Sequence, residues 1–539
     1  MKASRPLLVA SMLSAAACST PSAADECFVD AQCPADMMCV AGSCSMEGDS
    51  EGENDTEIEV EKLDVGGGIG NATSCEAASF VATNAGCEFW GADLPNVWHP
   101  STPYSLDVAA EQQFAIVVAN VSETDQARVS VFQGDGSSAI EDATLGPLGT
   151  YAFMLPNDLQ LDPERNAGGR AFRIESDIPI TAYQFQPLSN LVPVYSNDAT
   201  SLLPAHVLQN DYIAVSDVGR LVTTFPSGWT EQSMPAGAYV TVVATEDDTH
   251  VEFFPTDVLA SGAWQGVTLM RGDAYTILSD PSNEASIDGN LSGTRVISDR
   301  PVAAFSGNVA ASVPATATEC CLDHLEHQLL PTVAWGSRYV AAPPPDPTSP
   351  NNDDPSVIRL VGAYDDTALV YPAGKPTGAP DTIDAHQEIA FSTTEPVIIE
   401  AEDSTKPFSV SQYLYNSGEA NSGGELGDPG MIVLPAVEQL MDRYVFLAPH
   451  GYRTSVATIV APEGTDVTLD GRAVDGWSSI GDSGGQRWTY ARAEIEPGAH
   501  VVSSDAPAQV TVVGYDVTVS YAFAGGSAVE AINDAPPAP

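Results

Sequence analysis

The chain has 539 residues, 43% of them apolar, which is enough for several packed domains. Its 73 acidic residues outnumber 20 basic ones and leave a formal net charge of −53. That balance excludes the basic footprint that nucleic acid requires and the polybasic contact that draws proteins to anionic membranes.

Residues 1–17 read as a signal peptide. Lys2 and Arg5 flank a short apolar run, Pro6–Ala17, which cannot cross a bilayer as a helix. Ala15-Ala16-Ala17 then meets Cys18, and this stretch resembles a bacterial lipoprotein signal. The resemblance implies lipid attachment at Cys18 and a membrane anchor at the outer membrane or cell surface. Cleavage without lipidation, giving a secreted protein, is the alternative.

Nine cysteines are present. Setting Cys18 aside leaves eight, an even number suited to disulfides in an exported chain. Cys27, Cys33, Cys39 and Cys44 fall within residues 18–44, a stretch too poor in apolar residues to fold on a core. It resembles a small Cys-rich module of exported bacterial proteins, stapled by two disulfides whose pairing stays open. A zinc site is the alternative, without a C-x2-C pair in its favour. Cys75, Cys87, Cys320 and Cys321 lie further on. Adjacent cysteines bond each other only through a strained ring, so Cys75 and Cys87 are expected to pair with Cys320 and Cys321, in an order the sequence leaves open.

Residues 45–74 read as a linker. Nine acids and one Lys between Glu47 and Asp64 repel one another and extend the chain, and Gly66-Gly67-Gly68 loosens its end. From Cys75 onward the pattern is β: short runs of Val, Thr, Ile and Tyr alternate with Gly, Pro, Asn and Asp, as in YVTVVAT (239–245), PVIIEA (396–401) and AQVTVVGYDV (508–517). Pro435–Tyr444 is the best candidate for two or three helical turns.

Three marks recur in fixed order. The first is Leu-Pro followed by Tyr, ending at Tyr212, Tyr339 and Tyr444. The second is a turn around an acidic pair or Glu-Gly that ends in Thr, at 244–253, 363–371 and 461–469. The third is a polar residue or two, then Pro, then a β run, at Pro179, Pro301, Pro407 and Pro507. Those prolines are 122, 106 and 100 residues apart. The body therefore reads as an all-β array of four tandem units, 75–200, 201–328, 329–432 and 433–525, followed by an Ala/Pro-rich tail at 526–539 expected to fray. Each unit has room for a β-sandwich, with a β-propeller as the alternative.

Five stretches carry a resemblance to a known family: GCEFWGADLPN (86–96), the run 170–206, CCLDHLEHQLLPTVAWGSRYV (320–340), GDPGMIVLPAVEQLMDRYVFLAP (427–449) and GYDVTVSYAFAGG (514–526). Together they resemble the N-terminal region named for the IgG-Fc-binding protein of mucus, in the version carried by exported bacterial proteins. His327 departs from the Gln or other polar residue that the resemblance implies after Glu326. The family implies binding rather than catalysis and transfers no site residue.

Asp323, His324, Glu326 and His327 form the densest group of potential metal ligands. The H-E-x-x-H spacing is missing, and a capping and turn element beside Cys320-Cys321 is the reading preferred over a metal site. Catalytic residues are not assigned: there is no nucleophile elbow, P-loop or dinucleotide fingerprint. Arg271-Gly272-Asp273 reads as a hairpin turn. The acidic turns at Glu246-Asp247-Asp248 and Asp365-Asp366, and the loop Asn351–Asp354, offer oxygen ligands for Ca²⁺, but short acids suit turns by themselves. No cofactor is expected. Trp90, Trp98, Trp229, Trp264, Trp335, Trp477 and Trp488 read mainly as core or corner residues. The sequence thus points to a surface-anchored, non-enzymatic protein that binds or adheres to a protein or glycan. An exported hydrolase with a loop-borne site and a structural envelope protein are the alternatives.

Overall fold

The computed structural model describes residues 37–40, 43–46, 73–99, 108–161, 168–188, 196–226, 230–262, 266–317, 322–420 and 426–536. The chain divides into two bodies, Met1–Gly52 and Glu53–Pro539. In the first, Met37–Val40 and Ser43–Met46 form an antiparallel hairpin with Cys39 in register with Cys44. Cys18, Cys27, Cys33 and the acidic stretch Glu47–Asp64 lie outside the described residues.

In the second body one pairing scheme recurs four times, built on a long strand that bends at the proline of the third mark. Phe172–Gln186 pairs mainly before Pro179 with Gly86–Gly91 and Ala127–Gln133, and beyond it with Ala115–Asn120 and Asp198–Ser201. Arg295–Ala311 pairs mainly before Pro301 with Gln209–Ile213 and Thr249–Phe254, and beyond it with Ala238–Ala244 and Asp323–Gln328. In the third repeat the long strand is interrupted, as Val397–Ala401 and Phe408–Leu414. The first piece pairs with Arg338–Ala341 and Thr367–Val370, the second with Ser356–Gly362 and Met431–Val433. Gly498–Asp516 pairs likewise with Met441–Ala448 and Val467–Leu469, then with Thr454–Pro462 and Val519–Ala524. Each long strand therefore serves two antiparallel sheets, and the fold is all-β and sandwich-like. Proline suits the switch point because its missing N–H is not needed where one ladder ends and the next begins.

The three marks are the two ends of hydrogen bonds. Tyr212 Oη donates to Val302 O at 2.8 Å and accepts from Gln209 N at 2.9 Å. Tyr339 donates to Phe408 O at 2.6 Å and accepts from Gly336 N at 3.3 Å. Tyr444 donates to Ala508 O and accepts from Met441 N at 2.9 Å. In every case the carbonyl belongs to the residue after the bend proline, so the tyrosine pins the first strand to the bend. The second and third marks meet as well. Asp177, Asp299 and Asp505, two residues before their prolines, accept from the backbone N–H of Arg128, His250 and Asp466 at 2.7, 2.8 and 2.9 Å. In the third repeat Lys406 replaces this contact by donating to Asp365 O and Asp366 O at 2.9 and 3.1 Å. The residue before the Thr of each turn, Asp248, Asp366 or Gly464, has φ of 55, 51 or 89°. Asp and Gly are the types that take this left-handed conformation at least cost.

Ala238–Ala244 is buried on both faces. Val240 and Val242 enter the core of their own sandwich, while Tyr239 and Val243 join a core shared with the first repeat. Ile358 and Leu360 likewise face inward, and Val357 and Val361 pack against Ile213 and Val215 of the second repeat. Burial on both faces explains why these runs are almost continuously apolar. Buried Arg359 crosses the same seam to Asp217 at 2.6 Å. The last strands, Asp198–Ser201, Asp323–Gln328, Met431–Val433 and Val519–Ala524, pack in cyclic order, the fourth against the first. Tyr183 and Phe523 rings (4.9 Å) and Phe185 and Tyr521 rings (5.9 Å) fill that closing seam.

Four expectations are corrected. Cys75 bonds Cys87, not Cys320 or Cys321, because the short helix Cys75–Ala78 lies against strand Gly86–Gly91 with the two Cα atoms 5.6 Å apart. Cys320 and Cys321 fall outside the described residues. Pro435–Tyr444 makes one 3₁₀ turn, Val437–Gln439, and then enters strand Met441–Ala448, drawn by pairing with the long strand. Asn351–Asp353 lie in strand Ser349–Asp353 rather than a loop. The tail is docked as far as Pro536: Val529 N donates to Ala82 O at 2.9 Å, and buried Arg295 donates to Pro536 O at 2.6 Å while pairing with Asp211.

Tyr444→Phe is expected to destabilise the protein by about 1–3 kcal/mol, because it leaves the Met441 N–H and the Ala508 carbonyl without this partner. Urea denaturation measures it, and a variant as stable as the parent would contradict the pinning role.

Candidate functional site

The four last strands meet at one carboxylate. Asp198 is fully buried. Its Oδ1 accepts from Ala199 N (2.9 Å) and Ala522 N (3.3 Å), and its Oδ2 from Glu326 N (3.2 Å) and Met431 N (3.3 Å). Each of the four repeats thus contributes one backbone N–H. Burial pushes this carboxyl well above the usual carboxylate range, against the pull of the four donors.

Further polar side chains surround it. Asp323 accepts from the backbone N–H of Asn197 and, at 2.9 Å, of His324. Glu326 Oε2 accepts from Gln184 Nε2 at 2.8 Å and lies 3.8 Å from His324 Nε2. The His324 ring stacks on Tyr239, with centroids 5.8 Å apart and planes 11° apart. His327 Nδ1 is 3.4 Å from Thr200 Oγ1. Asp323 Oδ2 and Glu326 Oε1 have no hydrogen-bond partner among the described residues. Burial raises Asp323 and Glu326 well above their ordinary values; the charges of Asp428 and Asp198 add to the first, and those of Asp198 and Asp93 to the second. Burial also lowers His324 and His327 to about 3, so both rings are neutral near pH 7.

This placement corrects the capping-and-turn reading of Asp323–His327. The segment is strand Asp323–Gln328, buried along its length and paired with Arg295–Ala311. A strand sends alternate side chains to opposite faces, so His324 and His327 point apart. Among the described residues no group of three His, Cys, Asp or Glu is arranged to hold a metal ion. The cluster ties strands together and is sealed from solvent, which keeps any substrate from its histidines and acids.

Sequence reasoning missed Asp198 and Asp428. Their signal was present: Asp198, Asp323 and Asp428 are 125 and 105 residues apart, close to the steps between the bend prolines.

The Arg-Gly-Asp tripeptide and Asp353 serve contacts within the fold. Met270–Asp273 is a turn, with Asp273 N donating to Met270 O at 2.9 Å and Gly272 at φ 80°. It does not close a hairpin, since Val267–Leu269 and Ala274–Leu278 pair with different strands. Arg271 crosses to the first repeat, pairing with Glu88 and Asp135 at 3.1 and 3.0 Å over the Trp90 ring. Asp353 is held by Arg492 at 2.7 Å and by Tyr490 Oη at 2.9 Å. Trp90, Trp335 and Trp488 are buried, Trp98 and Trp477 are half-buried, and Trp229 and Trp264 lie outside the described residues.

Residues 198–514 match the family model described as IgGFc binding protein, more than half of the chain, and the chain belongs to that family. The matched segment opens at Asp198. The human (Homo sapiens) protein named IgGFc-binding protein is 25% identical over 295 residues, covering 51% of this chain and 5% of the human protein. The chain therefore matches only a small part of that relative's length. The native conformation of E. coli alpha-2-macroglobulin aligns over 76% of this chain and 28% of its own, at 7% identity and a TM-score of 0.09, which establishes no likeness of fold. Family membership supports a binding-type function.

A raised carboxyl makes the native state bind its proton more tightly than the unfolded chain. Its contribution to stability is fully present below the unfolded value, about 4.3 for Glu, and is lost as pH rises through the folded value. Glu326→Gln removes that loss. The variant is expected to be at least as stable as the parent near pH 7, with the difference shrinking toward about pH 4. Urea denaturation across this range checks it; a variant clearly less stable at pH 7 would show that the ionised carboxylate is needed.

Proposed function

We propose that this protein is a non-enzymatic binding or adhesion protein of the cell surface, anchored through lipid on Cys18, which engages a protein or glycan ligand. The observation that carries the binding reading is the burial of the acid–histidine cluster at the junction of four repeats, in a chain whose family is named for binding. Those groups hold strands, while the outer seams and loops remain for recognition. The human relative's name makes IgG Fc the first protein ligand to test. The N-terminal pattern of a short apolar run ending at Cys18, followed by an acidic linker, supports anchoring and display away from the membrane.

The test is binding of the full chain, disulfides intact, to immobilised IgG Fc at two salt concentrations, because a protein this acidic binds basic surfaces non-specifically at low salt. Saturable, salt-resistant binding at micromolar concentration or below is the expected result if Fc recognition extends to this chain; absence of binding would remove Fc as the ligand. In parallel, Cys18→Ala is expected to release the protein from membranes, and unchanged membrane association would contradict the anchor.

A further inference from the structure

A groove starts at the outer seam between the third and fourth repeats and continues onto the fourth. It consists of two clefts that share Ser479. One encloses about 800 Å³ and is lined by Ser392, Thr393 and Thr394 of the third repeat, by Tyr415, and by Tyr490 of the fourth. The other encloses about 600 Å³ and is lined by Trp477, Thr489 and the turn Glu463–Thr468. Both volumes fall in the range of ligand clefts, and seams between packed units are where such clefts concentrate.

The lining has a definite chemistry. Tyr415 and Trp477 are half-buried, and the Trp477 indole is fixed by donation to Val474 O at 3.0 Å. Rings held this way present apolar faces without further ordering on binding. Between them lie side-chain hydroxyls, with Ser479 exposed at the junction. Of the charges at the edge, Asp353 is paired with Arg492 and Lys375 with Asp381, while the carboxylates of Glu395, Glu463 and Asp466 have no ion pair among the described residues and make the lining acidic. A ligand for this groove needs many hydrogen-bonding groups, hydroxyl donors for those carboxylates among them, apolar faces that lie on rings, an extended shape and no negative charge. The net charge of −53 opposes anionic chains in particular.

We infer that this groove is a binding site for a neutral oligosaccharide, laid from Tyr415 at the seam past Ser479 to Trp477 on the fourth repeat. This rests on the binding reading and narrows its ligand to a glycan.

The test titrates the full chain calorimetrically with linear hexamers of glucose, mannose and N-acetylglucosamine, and with a sulfated hexamer as the anionic probe. Tyr415→Ala, Trp477→Ala and Ser479→Trp are compared with the parent; the last fills the groove from an exposed position without emptying any core. Expected is saturable binding of at least one neutral hexamer, weakened about tenfold or more in all three variants, with melting temperatures within about 2 °C of the parent. The inference is overturned if none of the neutral hexamers binds up to about 10 mM, if Ser479→Trp binds as the parent does, or if the sulfated hexamer binds more tightly. Fc binding is measured on the same preparations. Retained Fc binding without saccharide binding would sink the groove and leave the binding reading standing.

Discussion

The structure depends on how one buried carboxyl group is met. Asp198 gives up water entirely, a cost of several kcal/mol for any carboxylate that finds no replacement. Its replacement is four backbone N–H groups, one from the last strand of each repeat, the furthest of them 324 residues away in sequence. The arrangement is reciprocal: the four amides need an acceptor as much as the carboxylate needs donors. Separating any repeat would leave both sides unmet. The strands buried on two faces impose the same constraint in apolar terms, since Tyr239 and Val243, or Val357 and Val361, sit in cores to which the neighbouring repeat also contributes. Polar hub and shared cores together make the repeats mutually dependent, unlike independent beads on a string.

What could be read in the sequence follows from this division. The three marks were visible because each is one end of a hydrogen bond made within a single repeat, so the same residue type returns at each period: Tyr to the carbonyl after the bend proline, Asp to the turn beside it. Alternating Val and Thr runs gave the strands for the same local reason. The hub escaped notice because its partners come together only when all four repeats close. Asp323–Gln328 misled for a related reason. A strand this polar looks like a turn until Gln184, Asn197, Asp198 and Tyr239 are placed around it. Cys75 and Cys87 misled in the opposite direction, since a distant partner was expected where a local one served.

The separation of interior from exterior bears on function. The residues with the most reactive appearance, His324, Glu326 and Asp323, are sealed inside, their proton affinities set by burial. The Arg-Gly-Asp tripeptide is likewise consumed by a contact between repeats. What faces solvent is a frame of packed repeats with clefts on its surface. Family membership agrees with that division, while the 5% of the human protein that this chain matches leaves the ligand to be found by experiment.

The most direct test of the hub is hydrogen–deuterium exchange at the peptides carrying Ala199, Glu326, Met431 and Ala522, in the parent and in Asp198→Ala. Parent amides at all four positions are expected to exchange only through global unfolding. In the variant all four are expected to lose protection together, while Val240 and Val242, inside one sandwich, keep theirs. Loss confined to the Ala199 peptide, or no loss at any of the four, would contradict the claim that one carboxylate joins the four repeats.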